Sequence, residues 1–159
     1  MKFFMKLTTT RVLLVLCLTL TGLVLGAVQA KNTYRLAAIA QFKLSPDTDD
    51  GTRLILCTYC HVNNSGNKPW NPFGINLQTT FRNETDTSLS NTLRIKDALY
   101  KVLAKKLDSD NDGYYDALEV FAKTLPGNDA SKPTTEFAKL EAQFKDAGGF
   151  AQYKADAGK

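Results

Sequence analysis

The chain is poor in histidine, cysteine and methionine. Its 159 residues include one histidine, His61, and three cysteines, Cys17, Cys57 and Cys60. The two methionines, Met1 and Met5, both fall in the first five positions. Past position 30 only two cysteines and one histidine remain, which leaves a four-ligand zinc site one ligand short. Basic charge is scarce too, once the start of the chain is set apart. Lys2, Lys6 and Arg11 are the only charged residues among the first thirty. Residues 31–159 therefore carry seventeen basic and sixteen acidic side chains, a net charge of +1. No basic patch is left to argue for nucleic acid. No segment alternates apolar and polar residues as a half-buried strand does, and no internal repeat is visible.

A long hydrophobic run occurs once. Val12 to Val28 is nearly all apolar, follows a basic start and leads to Val28-Gln29-Ala30. That order predicts an export signal over 1–30, cleaved after Ala30, and one domain over 31–159. The run is about 17 residues, just under the roughly 18 of a spanning helix, so an uncleaved N-terminal anchor is the alternative. Cys17 lies inside the run with no small-residue pair before it, which argues against lipidation. After cleavage the expectation is a periplasmic or secreted protein with no membrane contact.

The two remaining cysteines stand together, in Cys57-Thr58-Tyr59-Cys60-His61. C-x-x-C-H is the spacing of covalent haem attachment. Two thiols three positions apart can reach the two vinyl groups of one haem, and the adjacent imidazole can bind the iron. A disulfide between Cys57 and Cys60 is the plain alternative in an exported chain. Its small ring would stabilise little by loop closure. A thioredoxin-type site would want a strand before the pair and a βαβ pattern after it, and neither is visible. If haem is bound, Cys57, Cys60 and His61 hold it and His61 ligates the iron. Trp70, Phe73 and Tyr59 are candidates to line it, although ordinary loop packing explains them as well.

A second site lies further on. Asp108-Ser109-Asp110-Asn111-Asp112-Gly113-Tyr114-Tyr115-Asp116-Ala117-Leu118-Glu119 fits D-x-D-x-D-G-x₅-E. Oxygens of Asp108, Asp110 and Asp112 would wrap a hard cation, and Gly113 permits the sharp turn. Tyr114 would offer its carbonyl, Asp116 would bind directly or through water, and Glu119 would bind with both oxygens. Five carboxylates in twelve residues would otherwise repel one another. A solvated acidic turn explains one or two of the Asp residues, but not the whole pattern. Asp47-Thr48-Asp49-Asp50-Gly51 has its Gly one place early and no closing Glu. The cation site is therefore expected to be single and structural, with Ca²⁺ preferred on ligand number.

Helical periodicity organises the rest. Thr33 to Leu44 places Tyr34, Ala37, Ala38 and Phe42 on one face. Ser45 to Gly51 is a breaker, and Arg53-Leu54-Ile55-Leu56 is a short helical lead into the cysteine motif. Val62 to Gly74, rich in Asn, Gly and Pro, reads as a loop. Asn91 to Leu107 predicts a helix with Leu93, Ala98, Leu99, Val102, Leu103 and Leu107 inward, and lysines mostly on the other face. Asp116 to Thr124 is a short helix with Leu118 and Phe121 inward. Thr134 to Ala147 is the last, with Phe137, Leu140 and Phe144 inward and a frayed tail after Gly148-Gly149. The expected fold is a small all-α domain of four to five helices around a covalently attached haem.

The pentapeptide at 57–61 resembles the haem-attachment site of c-type cytochromes. Asp108 to Pro133 resembles the Asp-rich calcium motifs of bacterial exported proteins, which are similar to thrombospondin type 3 repeats and single EF-hand loops. The order C-x-x-C-H, Asn71-Pro72-Phe73-Gly74, acidic loop is similar to small exported bacterial proteins that combine these parts. The resemblance implies haem c and Ca²⁺ as cofactors, redox proteins as partners, electron transfer as the role, and no catalytic set. One departure stands out. Past position 30 there is no methionine and no second histidine for the far side of the iron. That leaves two alternatives open. One is a five-coordinate haem that binds NO, CO or peroxide. The other is a non-haem calcium-binding adhesion module with a Cys57–Cys60 disulfide.

Overall fold

The computed structural model describes residues 33–44 and 57–155. The expected signal at 1–30, the breaker at 45–51 and the lead-in at 53–56 lie outside them. The described residues from Tyr34 onward belong to one compact unit.

Five helices make up the described residues: 33–41 (α1), Pro72–Asn83 (α2), Asn91–Ala104 (α3), Asp116–Ala122 (α4) and Phe137–Asp146 (α5). Short 3₁₀ turns cover Cys57–Tyr59 and Gly149–Tyr153. Among the described residues there is no strand, only one antiparallel bridge between His61 and Trp70. The domain is all-α, as the periodicity predicts.

The loop expected at 62–74 ends at Asn71, where helix α2 begins. Asn71 and Pro72 are helix starters as well as turn residues. The Asn71 side chain accepts from the Gly74 N–H at 2.8 Å, and Pro72 sits in the first turn, where its missing N–H costs nothing. From there Phe73, Gly74, Leu77 and Thr80 face inward.

Helix α3 packs on α2. It buries Ile95, Ala98, Leu99, Val102 and Leu103, while Leu93 is 39% exposed. Leu93 belongs to the first turn, just after the Ser90 cap, and Ile95 takes the inward place expected of it. The helix ends at Ala104 because Lys106 turns left-handed at φ 54°. Leu107 instead begins the acidic loop, its carbonyl accepting from Asp116 N–H at 2.7 Å.

Helix α5 starts at Phe137 rather than Thr134. Glu136 caps it, its carboxylate accepting from the N–H groups of Ala138 and Lys139 at 3.1 Å. Leu140 and Phe144 are buried, whereas Phe137 stays partly exposed beside the rings of Tyr114 and Tyr115. The tail does not fray where expected. Gly148 and Gly149 adopt positive φ and reverse the chain, and Tyr153 is buried against Phe42 and Phe144. Apolar ring area buried in so small a core outweighs the entropy of ordering five residues. Gln41 ties this tail to α1 and α3, donating to the carbonyls of Tyr153 at 2.8 Å and Lys96 at 2.7 Å.

Aromatic side chains fill the centre. Tyr59 meets Phe42 and Phe73 with ring centroids 6.0 Å apart, and all three are buried. Cys57, Cys60 and His61 are half-buried at the rim of this cluster. Among the described residues the helices pack around these aromatic side chains, with the cysteine motif at their edge.

Candidate functional site

Two places bring candidate functional side chains together. The first is the turn at 57–61. Cys57 carbonyl accepts from Cys60 N–H at 3.2 Å and from His61 N–H at 2.9 Å, which puts both thiols on one tight turn. Neither is in a disulfide. The Asn64 side chain accepts from Cys57 N–H at 3.1 Å, and Val62 N–H reaches Pro69 carbonyl at 3.0 Å. The 62–70 segment therefore folds back over the turn. Gly66 (φ 68°) passes close to Cys57, where an added Cβ would lie 3.2 Å from Sγ.

His61 is oriented from two sides. Its Nδ1 lies 3.0 Å from Asn67 carbonyl. A carbonyl can only accept, so Nδ1 carries the proton and the lone pair of the neutral ring belongs to Nε2. Trp70 packs against the imidazole with ring centroids 4.0 Å apart. The expected lining residues thus separate. Trp70 attends His61, while Tyr59 and Phe73 are core.

The turn is gripped from below by residues the sequence reading did not single out as site residues. Asn71 N–H donates to Cys60 carbonyl at 3.1 Å, and its Nδ2 donates to the carbonyls of Thr58 at 2.9 Å and Tyr59 at 3.0 Å. Gly74 follows one helical turn later. A Cβ there would stand 1.9 Å from Cys60 carbonyl, so only glycine fits. Asn71-Pro72-Phe73-Gly74 carried the signal, but its turn-like composition hid the role.

Burial, and then the nearby Cys57, push the Cys60 thiol up to about 12. A thiol kept protonated at neutral pH is a poor nucleophile. The donor set itself fits a haem c: two thiols on one turn and an adjacent imidazole whose ligating atom is Nε2. Val62 and Ile75, next in sequence to His61 and Gly74, are 56% and 53% exposed.

The second place is the loop 108–119. The carboxylate oxygens of Asp108, Asp110 and Asp112 lie within 4.8 Å of one another. Backbone donors shape the wrap. Asp112 N–H and Gly113 N–H donate to Asp108 at 3.2 and 3.0 Å, and Tyr114 N–H to Asp112 at 2.8 Å. Asn111 (φ 61°) and Gly113 (φ 98°) supply the left-handed turns. Tyr114 is buried, its hydroxyl donating to Thr135 carbonyl at 2.9 Å.

Glu119 and Asp116 are fully buried at the start of α4. Asp116 is occupied: Ser109 N–H and Oγ each donate to one of its oxygens at 2.8 Å. It braces the loop. Glu119 is the opposite, with both carboxylate oxygens buried and lacking any hydrogen-bond partner. Asp110 Oδ2 and Asp112 Oδ2 are in the same state. Buried polar atoms are nearly always satisfied, so four orphaned oxygens call for a missing partner. Electrostatics agree. Burial, then Asp110, Asp112, Asp116 and Asp108, push Glu119 up to about 9. Burial also raises Asp116 to about 7 against the pull of Ser109, and burial and then Asp112 raise Asp110. A divalent cation would satisfy the orphans and remove the repulsion together. Lys132, whose Nζ donates to Asp112 carbonyl, closes the outer side.

Among the described residues no helix is long and apolar enough to cross a membrane. In comparisons with known proteins, no family model matches the chain, and no curated protein or solved structure matches it either.

Proposed function

We propose that this chain is an exported mono-haem c-type protein that carries electrons and is clamped by one structural Ca²⁺. Cys57 and Cys60 would hold the haem as thioethers, and His61 Nε2 would ligate the iron. The observation that carries the haem reading is the oriented imidazole beside two thiols on one turn, with Nδ1–H committed to Asn67 carbonyl. A hydrogen bond of this kind fixes ring orientation and raises ligand basicity. Bound haem supplies a one-electron couple, and the chain's part is to hold it, limit its motion and tune its electronics. With the donors on the rim, the group would be an edge cofactor accessible to redox partner proteins.

The Ca²⁺ reading rests on the four orphaned oxygens, two of them on a fully buried Glu119. Asp108, Asp110, Asp112 and Glu119 would be the ligands, with Tyr114 carbonyl in the set and Asp116 acting as the brace. The site lies in a chain that reads as exported, where such modules bind Ca²⁺ at about 10⁻⁴–10⁻³ M.

A second use of the same haem is favoured by one observation: past position 30 the chain offers no methionine and no histidine besides His61. An iron without a strong second ligand would bind NO or CO. One preparation separates the readings. Mature protein made with haem-attachment machinery is expected to show haem absorption that survives denaturation, and its absence rules out both haem roles. Slow or no CO binding by the reduced form supports the carrier. Immediate, tight CO binding overturns it in favour of ligand binding.

A further inference from the structure

The acidic loop has a basic neighbour that its ligand pattern does not include. Lys132 is exposed, yet its Nζ donates to Asp112 carbonyl and lies 3.8 Å from where a Cβ on Gly113 would stand. The same ammonium sits over the Tyr114 ring, 5.2 Å from its centroid. A ring face attracts a cation, so Tyr114 serves as a platform for it. The root of the side chain is fixed on both sides. Ser131 N–H donates to Asn128 carbonyl at 2.8 Å, and Ser131 Oγ accepts from Leu125 N–H at 3.0 Å. Pro133 is buried, and Thr135 carbonyl accepts from the Tyr114 hydroxyl at 2.9 Å. Among the described residues, no other basic side chain hydrogen-bonds to the loop, and no ion pair engages its carboxylates.

We propose that Lys132 is a tethered counter-cation of the 108–119 loop, which balances its acids when the site is empty and opposes the divalent cation that fills it. Asp110, Asp112 and Glu119 keep four buried carboxylate oxygens without a partner. No ion pair joins Lys132 to these oxygens, so it acts through its field from the outer edge. A positive charge fixed there lowers the repulsion within the empty loop and repels an arriving cation of the same sign. Both effects weaken Ca²⁺ binding. The oxygens decide what the loop binds, and Lys132 decides how much of it is needed. The site therefore fills where Ca²⁺ is abundant, and its acids stay partly balanced where Ca²⁺ is scarce.

This inference rests on the cation half of the proposed function and does not require haem. The test is the Ca²⁺ affinity of the mature full chain, with whatever cofactor it carries, measured by calorimetry at low salt and in about 0.3 M salt. Lys132→Gln keeps an amide donor for Asp112 carbonyl and drops the charge. It is expected to bind Ca²⁺ about fivefold more tightly at low salt, with most of that gain lost at high salt. In EDTA its melting temperature is expected to fall, because the empty loop has lost its counter-charge. Lys132→Arg keeps the charge, and Lys68→Gln makes the same change of net charge at an exposed position beside the cysteine turn. Both are expected to stay within about twofold of the unaltered chain. Affinity that is unchanged or weaker in Lys132→Gln overturns the role of Lys132 and leaves the cation reading standing. An equal gain in Lys68→Gln assigns the effect to net charge and overturns that role as well. Absence of Ca²⁺ binding by the unaltered chain overturns the cation reading, and this inference with it.

Discussion

The turn at 57–61 and the loop at 108–119 are held in opposite ways. Around the cysteines, backbone groups are paired: Cys57, Thr58, Tyr59 and Cys60 all give their carbonyls to named donors. The turn keeps its shape by neutral hydrogen bonds and by a glycine contact that admits no side chain. Around the acids, charge is packed against charge, and four buried carboxylate oxygens have no partner. The turn is finished without a ligand, and the loop is not. An unfinished electrostatic site names its ligand class from structure, whereas a finished turn names its ligand only through the identity of its side chains.

The largest effect that would break this contrast is loss of the haem. Cys57→Ser with Cys60→Ser is expected to abolish covalent haem, read as pigment lost on acid denaturation, while the helical circular dichroism remains. If the fold collapses as well, the turn is not self-supporting and the contrast is wrong.

Chelation comes next. A cation that binds only the folded chain contributes about 2.7 kcal/mol at a hundred times its dissociation constant. EDTA is therefore expected to lower the melting temperature by about 10 °C. An unchanged melt would mean that the loop is stable empty.

Gly74→Ala tests the other side. A methyl group 1.9 Å from Cys60 carbonyl must displace backbone. Overpacking of this kind costs about 1–3 kcal/mol. The loss is expected to be equal in Ca²⁺ and in EDTA, measured by urea unfolding.

The last effect is a slope of stability with pH. In the cation-free fold Glu119 is raised to about 9 and Asp116 to about 7, so the folded state holds protons the unfolded state has released. Their stabilising effect is complete below the ordinary carboxylate range. It falls as pH rises through 7 and then 9. In EDTA stability is expected to decline from about pH 5 towards pH 9, whereas Ca²⁺, which needs the ionised loop, removes that decline. Glu119→Gln is expected to flatten the EDTA curve and weaken the response to Ca²⁺. Thermal melts across that range check both.

Much of this was legible in the residues themselves. The α3 stripe from Ala98 to Leu103 and the acidic spacing from Asp108 to Glu119 follow directly from periodicity and ligand chemistry. The failures have physical causes. Asn71-Pro72-Phe73-Gly74 reads as a loop because the same residues start helices and make turns, and only the partner of the Asn71 side chain decides which. Tyr153 reads as tail because its value comes from tertiary contacts with Phe144 and with Phe42, which is far away in sequence. Leu93 reads as core because periodicity does not say where the first turn clears its neighbour. The contact of Gly127 with Asn71 is tertiary, and no local pattern announces it.

The central claim is that Cys57, Cys60 and His61 are a haem c site on the edge of a calcium-clamped helical domain. Its most direct test is the intact mass of the exported chain, measured under denaturing, non-reducing conditions. The account predicts the mass of residues 31–159 plus one haem. A chain lighter by the hydrogens lost to a Cys57–Cys60 disulfide, with no haem attached, would contradict it.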